Sequence, residues 1–188
     1  GTPSAPTVSD VSYCKDDVST ALTATASSGN TLVWYDANQS ELTSGAPTPS
    51  TVSVGTTTYY VAQQTASGCE GSKSTITVTV NALPVAPTAT TTVDYCQDAT
   101  ATALTATASS GHTLVWYGTD GTTVLSGAPV PPTSTAGSTN YYVAQQNTTT
   151  GCEGAKTTIT VTVNALPVAP TATTTVDYCQ DATATALT

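Results

Sequence analysis

The chain repeats itself, and the repeat sets a limit on any fold it can adopt. Trp34 returns as Trp116 and Cys14 as Cys96, a spacing of 82 residues; Cys69 returns as Cys152 and Asn81 as Asn164, a spacing of 83. Residues 158–188 then repeat residues 75–105 letter for letter. A fold needs only its apolar pattern preserved, so identity that extends to surface threonines points to recent tandem duplication. The expected organisation is a first unit at residues 1–82, a second at 83–165, and the first strands of a truncated third at 166–188. The 188-residue chain reads as a window on a longer array, with a chain cut short or engineered as the alternative.

Within a unit the alternation of apolar and polar residues predicts strands. Residues 21–26 (ALTATA), 31–36 (TLVWYD), 57–64 (TTYYVAQQ) and 74–81 (STITVTVN) are the clearest. In the last, Ile76, Val78 and Val80 share one face and the threonines the other, as expected of a sheet with one buried side. Residues 7–13 supply a first strand. Residues 45–54 are expected to form a short edge strand, because Pro47 and Pro49 cannot donate to a central ladder. About a quarter of the residues are Thr and only 8% are charged, which suits half-buried strands and starves helix surfaces. The fold class is therefore all-β: tandem antiparallel sandwiches of about 82 residues per repeat.

Each unit carries one cysteine before its ALTATA strand and one after its YYVAQQ strand, 55 or 56 residues apart. This predicts one disulfide per unit, Cys14 with Cys69 and Cys96 with Cys152, with Cys179 left for a partner outside the chain. A loop of that size gives about 4 kcal/mol in the chain-entropy model. Two thiols per unit and a single His cannot fill a tetrahedral zinc site. Paired cysteines imply an oxidising, extracellular setting. Because the second cysteine lies past the Tyr-Tyr pair, the bridge should staple one end of the sandwich. Trp34 and Trp116 are expected in the core, the alternative being an exposed sugar-stacking platform.

The order YC-x-D, ALTATASSG-x-TLVWY, YYVAQQ, GCEG and TITVTVN resembles the Ig-like repeat modules found in tandem in giant secreted and surface proteins of Bacteroidetes-type bacteria, including adhesin and gliding-type proteins. The resemblance implies an extracellular, disulfide-bonded sandwich used as a stalk, spacer or adhesive repeat. It carries over no catalytic residue.

The residues themselves offer little chemistry. His112 stands where the first unit has Asn30, so no repeated site can need an imidazole there. No nucleophile elbow or phosphate-binding glycine loop is present. Asp16-Asp17 becomes Asp98-Ala99, which would not repeat a calcium site. Lys73 and Asn81, recurring as Lys156 and Asn164, lie too far apart along one strand for an isopeptide bond within a unit. Twelve acidic against three basic residues, for a net charge of −9, argue against nucleic acid, and no apolar run is long enough for membrane insertion. No catalytic residue, metal site or cofactor is expected.

Pro84, Pro87, Pro167 and Pro170 fall at the unit junctions and should make short, semi-rigid linkers. Each unit should then add on the order of 35 to 45 Å. These readings converge on a structural stalk or filament segment of a long extracellular repeat protein, a bacterial surface adhesin or fibre. The alternative is a carbohydrate-binding or spacer module of a multidomain secreted enzyme, with Tyr35, Tyr60, Tyr117 and Tyr142 as an exposed glycan platform. The expected partners are neighbouring repeats, with self-association into fibres and a surface polysaccharide left open. Val176 and Leu187 of the third unit should be poorly buried without the rest of their domain.

Overall fold

A computed structural model describes residues 1–172 and 174–186. The first module contains β1 (Thr7–Val8), β2 (Val11–Cys14), β3 (Ala24–Thr25), β4 (Thr31–Tyr35), β5 (Glu41–Leu42), β6 (Gly55–Gln64) and β7 (Ser74–Asn81). The second repeats them as β8 (Thr88–Ala89), β9 (Thr92–Cys96), β10 (Ala106–Thr107), β11 (His112–Tyr117), β12 (Val124–Leu125), β13 (Gly137–Asn147) and β14 (Thr157–Asn164). Each module sets a five-stranded sheet, ordered β2-β7-β6-β4-β5 in the first, beside a two-stranded sheet, β1-β3. The described residues contain no helix, and so none long and apolar enough to cross a membrane.

Between the two sheets lies an apolar core. In the first module Leu22, Trp34, Val61, Ile76 and Val78 are buried together; in the second, Leu104, Trp116, Tyr141, Val143, Ile159 and Val161. The alternation in STITVTVN produces this directly, since every second residue of β7 points inward. Trp34 is 4% and Trp116 6% exposed.

Three details differ from the strands expected. Residues 7–13 split into β1 and β2, which belong to different sheets; the chain crosses between them at Asp10, whose carboxylate accepts the Thr77 amide at 2.8 Å. Residues 45–54 form no strand, and the edge is instead Glu41–Leu42 beside β4. Prolines at 47 and 49 explain this, because neither has an N–H and, two residues apart, they strip the same edge of the segment of two ladder donors. Finally, β2 runs parallel to β7, pairing Val11 with Val78 and Cys14 with Asn81, in an otherwise antiparallel ladder.

The described residues after Asn164 form no strand. Among the described residues the segment matching β9 has no partner strand, and Val176 is 45% exposed; Leu187 lies outside the described residues. One local feature survives there. The Tyr178 hydroxyl accepts the Thr185 amide at 3.0 Å, as Tyr95 does for Thr102 at 3.2 Å and Tyr13 for Thr20 at 3.4 Å.

Candidate functional site

Every module has two poles, and the sequence builds each from a fixed set of residues. At the exit pole β7 ends at Asn81, and Cys14 is its Cα partner on β2. The cysteine loop is tied down by backbone bonds from Lys15 N–H to the Asn81 carbonyl (2.8 Å) and from Asp16 N–H to the Thr51 carbonyl (2.9 Å). Asp16 takes a left-handed φ of 67°, which a short polar side chain tolerates, and the Asp17 carboxylate accepts the Cys14 amide at 2.7 Å.

At the entrance pole, the β6–β7 hairpin carries the second cysteine, and the segment leading into the module lies across it as a strap. Gln145, fully buried, holds this strap. Its side-chain amide donates to the Val85 carbonyl at 2.8 Å, while its oxygen accepts the Ser109 amide at 2.7 Å. Gln63 does the same in the first module, to the Ser4 carbonyl (2.6 Å) and the Ser27 amide (2.7 Å). Thr157 donates to the Pro87 carbonyl at 2.7 Å. At Gly154 the strap passes so close that a Cβ would lie 2.1 Å from the Pro84 oxygen, so only glycine fits. Pro87 is buried and Pro84 half-buried; Pro167 and Pro170 are exposed. The linker prolines at 84 and 87 thus belong to the surface of the second module rather than to a free tether.

The glutamines were missed from sequence, although a signal exists. Gln63 shares the strand parity of Val61, so a polar side chain is directed into the buried face, where burial demands hydrogen-bond partners.

The two poles meet in a disulfide between Cys14 of the first module and Cys152 of the second, with Cα atoms 5.6 Å apart. This corrects the expected pairing. Cys14–Cys69 and Cys96–Cys152 do not form, and Cys69, Cys96 and Cys179 are free and exposed. The reason is the parallel β2–β7 pair: it carries Cys14 to the exit pole, while Cys69 stays beyond the opposite end of β7. Eight residues of strand keep them roughly 25 Å apart, far outside disulfide reach. The one bridge therefore joins modules rather than stapling each.

A second recurring cluster lies behind the hairpin. The Tyr35 hydroxyl donates to Glu70 at 2.6 Å and Tyr117 to Glu153 at 2.5 Å; Lys73 and Lys156 sit 3.3 and 3.5 Å from the respective ring centroids. Burial, then the glutamate hydrogen bond and charge, pushes both phenols up, Tyr117 to about 12. Tyr35 and Tyr117 are each 7% exposed, so the expectation of an exposed glycan platform on them is corrected: ring faces and hydroxyls are already occupied. Tyr60 and Tyr142 are half-buried. Elsewhere, the His112 ring hydrogen-bonds to the Ser110 carbonyl at 2.9 Å, and Asn81 donates to Ser12 and to the Tyr13 carbonyl. Among the described residues no three His, Cys, Asp or Glu side chains converge as metal ligands would.

Comparison with known proteins identifies the repeat. The sequence profile of a family described as Ig-like domain, CHU_C associated, matches residues 3–82 and again 84–165. No curated protein sequence matches the chain. Among solved structures, the chain is similar to the fibronectin(III)-like modules of Clostridium thermocellum CbhA: 15% identity, 84% of this chain and 91% of that one, TM-score 0.43. It is also similar to the Bacteroides ovatus protein SGBP-B, solved with a mixed-linkage heptasaccharide: 20% identity, 82% of this chain and 42% of that one, TM-score 0.28. The titin z1z2 domains, solved with telethonin, match at 15% identity over 86% of this chain and 98% of that one, TM-score 0.33. The chain thus spans under half the length of the SGBP-B chain.

Proposed function

Because the chain belongs to the Ig-like domain, CHU_C associated, family, we propose that its modules act in series as the stalk of an extracellular bacterial surface fibre or adhesin. Tandem Ig-like domains form a structural or spacer unit. The observation that carries the finer reading is the Cys14–Cys152 bridge across the junction, seated beside a strap that Gln145 and Thr157 bind to the second module. A junction with both a covalent staple and a bound linker resists bending and transmits tension, whereas a free Pro-rich tether would do neither. The bridge supports an extracellular setting, since such bonds persist outside reducing compartments. The proposal gives the chain no catalytic role.

Negative-stain electron microscopy and small-angle scattering test it. The oxidised chain should be an elongated two-bead particle whose length does not change on dilution or with salt. Folded-back particles, with the two modules side by side, would overturn the reading.

A further inference from the structure

The exit pole of the second module copies that of the first. Gln97 N–H donates to the Asn164 carbonyl at 2.8 Å and Asp98 N–H to the Thr133 carbonyl at 2.9 Å, the distances found at Lys15 and Asp16. Ala99 N–H reaches the Cys96 carbonyl at 3.1 Å, as Asp17 reaches Cys14. Thr133 donates to the Ala99 carbonyl at 2.6 Å and Thr51 to the Asp17 carbonyl at 2.7 Å. Asp98 has φ 63° against 67° for Asp16. Cys96 is the Cα partner of Asn164, as Cys14 is of Asn81. The segment leaving Asn164, residues 165–171, has the same sequence as residues 82–88, which strap the second module. The backbone bonds that present Cys14 to Cys152 therefore recur around Cys96; what is missing is the second sulfur and the carboxylate bond that Asp17 makes to the Cys14 amide, Ala99 standing in its place.

We propose that Cys96 is the exit half of a junction disulfide, and that its partner is the Gly-Cys cysteine at the entrance pole of a further module of this kind, joined through residues 165–171. The bond then recurs from module to module, each linking the YC cysteine of one to the GC cysteine of the next, and no module is closed on itself. Cys69, on the equivalent hairpin to Cys152, is by the same geometry the entrance half of a bridge to a module placed before it. Bond formation removes one proton and one electron from each thiol. A low-molecular-weight disulfide such as oxidised glutathione takes up both electrons and both protons and leaves as two thiols. The inference rests on the serial arrangement of the stalk reading and on nothing else in it.

The test completes the third unit. Thr188 matches Thr105, so appending a copy of residues 106–165 after Thr188 finishes a module whose sequence is that of the second from Thr158 onward. The chain as it stands has three free cysteines, and the appended segment adds one, the copy of Cys152. After oxidation with glutathione, thiol titration should find two reactive thiols, Cys69 and Cys179. Peptide mapping without reduction should recover Cys96 bonded to the copy of Cys152. Four reactive thiols, or Cys96 bonded to Cys69 or Cys179, would overturn the inference. A second arm needs no added module: the Cys179→Ser chain, oxidised at high concentration, should link copies head to tail through Cys96 and Cys69. Like-with-like Cys96 or Cys69 dimers in equal yield would count against it. An elongated particle with four free thiols would sink this inference and leave the stalk, whereas a folded-back particle containing the new bridge would do the reverse.

Discussion

The exit poles of the two modules agree in every backbone hydrogen bond that ties down the cysteine loop, yet Cys14 is bonded and Cys96 is free. The entrance poles differ in the same sense: Cys152 is fully buried, while its counterpart Cys69 is exposed. The difference teaches that the disulfide belongs to the junction. It is a property of two modules in contact, and an isolated module of this sequence has no bridge to lose. Burial follows the bond: the bridged Cys152 is fully buried and the unbridged Cys69 is exposed.

Breaking that asymmetry should have the largest effect. Cys152→Ser removes the only bridge among the described residues and should cost about 3 to 5 kcal/mol in the two-module unfolding transition. Cys69→Ser should change it by less than about 0.5 kcal/mol, as expected of an exposed surface site. Denaturant melts of the two variants side by side check this.

Next come the strap glutamines. Gln145→Leu leaves the Val85 carbonyl and the Ser109 amide without their partner and should destabilise by about 2 to 3 kcal/mol. Gln63→Leu should cost a similar amount, because the strap, unlike the bridge, is complete in both modules. Hydrogen exchange at Ser109 and Ser27 should speed up in the respective variant only.

The tyrosine–glutamate pairs sharpen the likeness between modules through pH. Tyr117 is held up from 10.0 to about 12, so the folded state favours its protonated form. That contribution is complete below pH 10, the unfolded value, and is lost as pH rises towards 12. Tyr35 moves in the same direction, while Tyr95, hydrogen-bonded to Thr102, is lowered and should ionise first. Tyrosinate absorbance should therefore rise in two stages, the later one coinciding with loss of stability.

The smallest effect is expected at the lysines. Lys73→Met removes a cation from the Tyr35 ring face and should cost about 0.5 to 1 kcal/mol, and Lys156→Met somewhat more, because Lys156 also donates to the Gly121 carbonyl at 2.7 Å. Denaturant melts of the two variants check the order.

Much of the fold could be read from the chain, and the reason is visible in particular residues. The alternation of STITVTVN and the apolar core of TLVWY specify buried faces without help from distant parts, and the repeat gives the module length. The cysteine pairing could not be read in the same way. It depends on whether β2 runs parallel or antiparallel to β7, and nothing local to VSYC reports that direction. An antiparallel β2 would have put Cys14 at the hairpin pole near Cys69; the parallel one sends it to the far end, where another module is the nearest thiol donor. The strap was hidden for a related reason: Gln63 and Gln145 look like surface residues until strand parity puts them beside Val61 and Val143.

Disulfide mapping of the oxidised 188-residue chain by mass spectrometry, with free thiols alkylated before digestion, tests the central claim most directly. For the chain oxidised at high dilution, where copies do not meet, the account predicts a single linked pair, Cys14 with Cys152, and alkylated Cys69, Cys96 and Cys179. Recovery of Cys14 linked to Cys69, or Cys96 linked to Cys152, would contradict it.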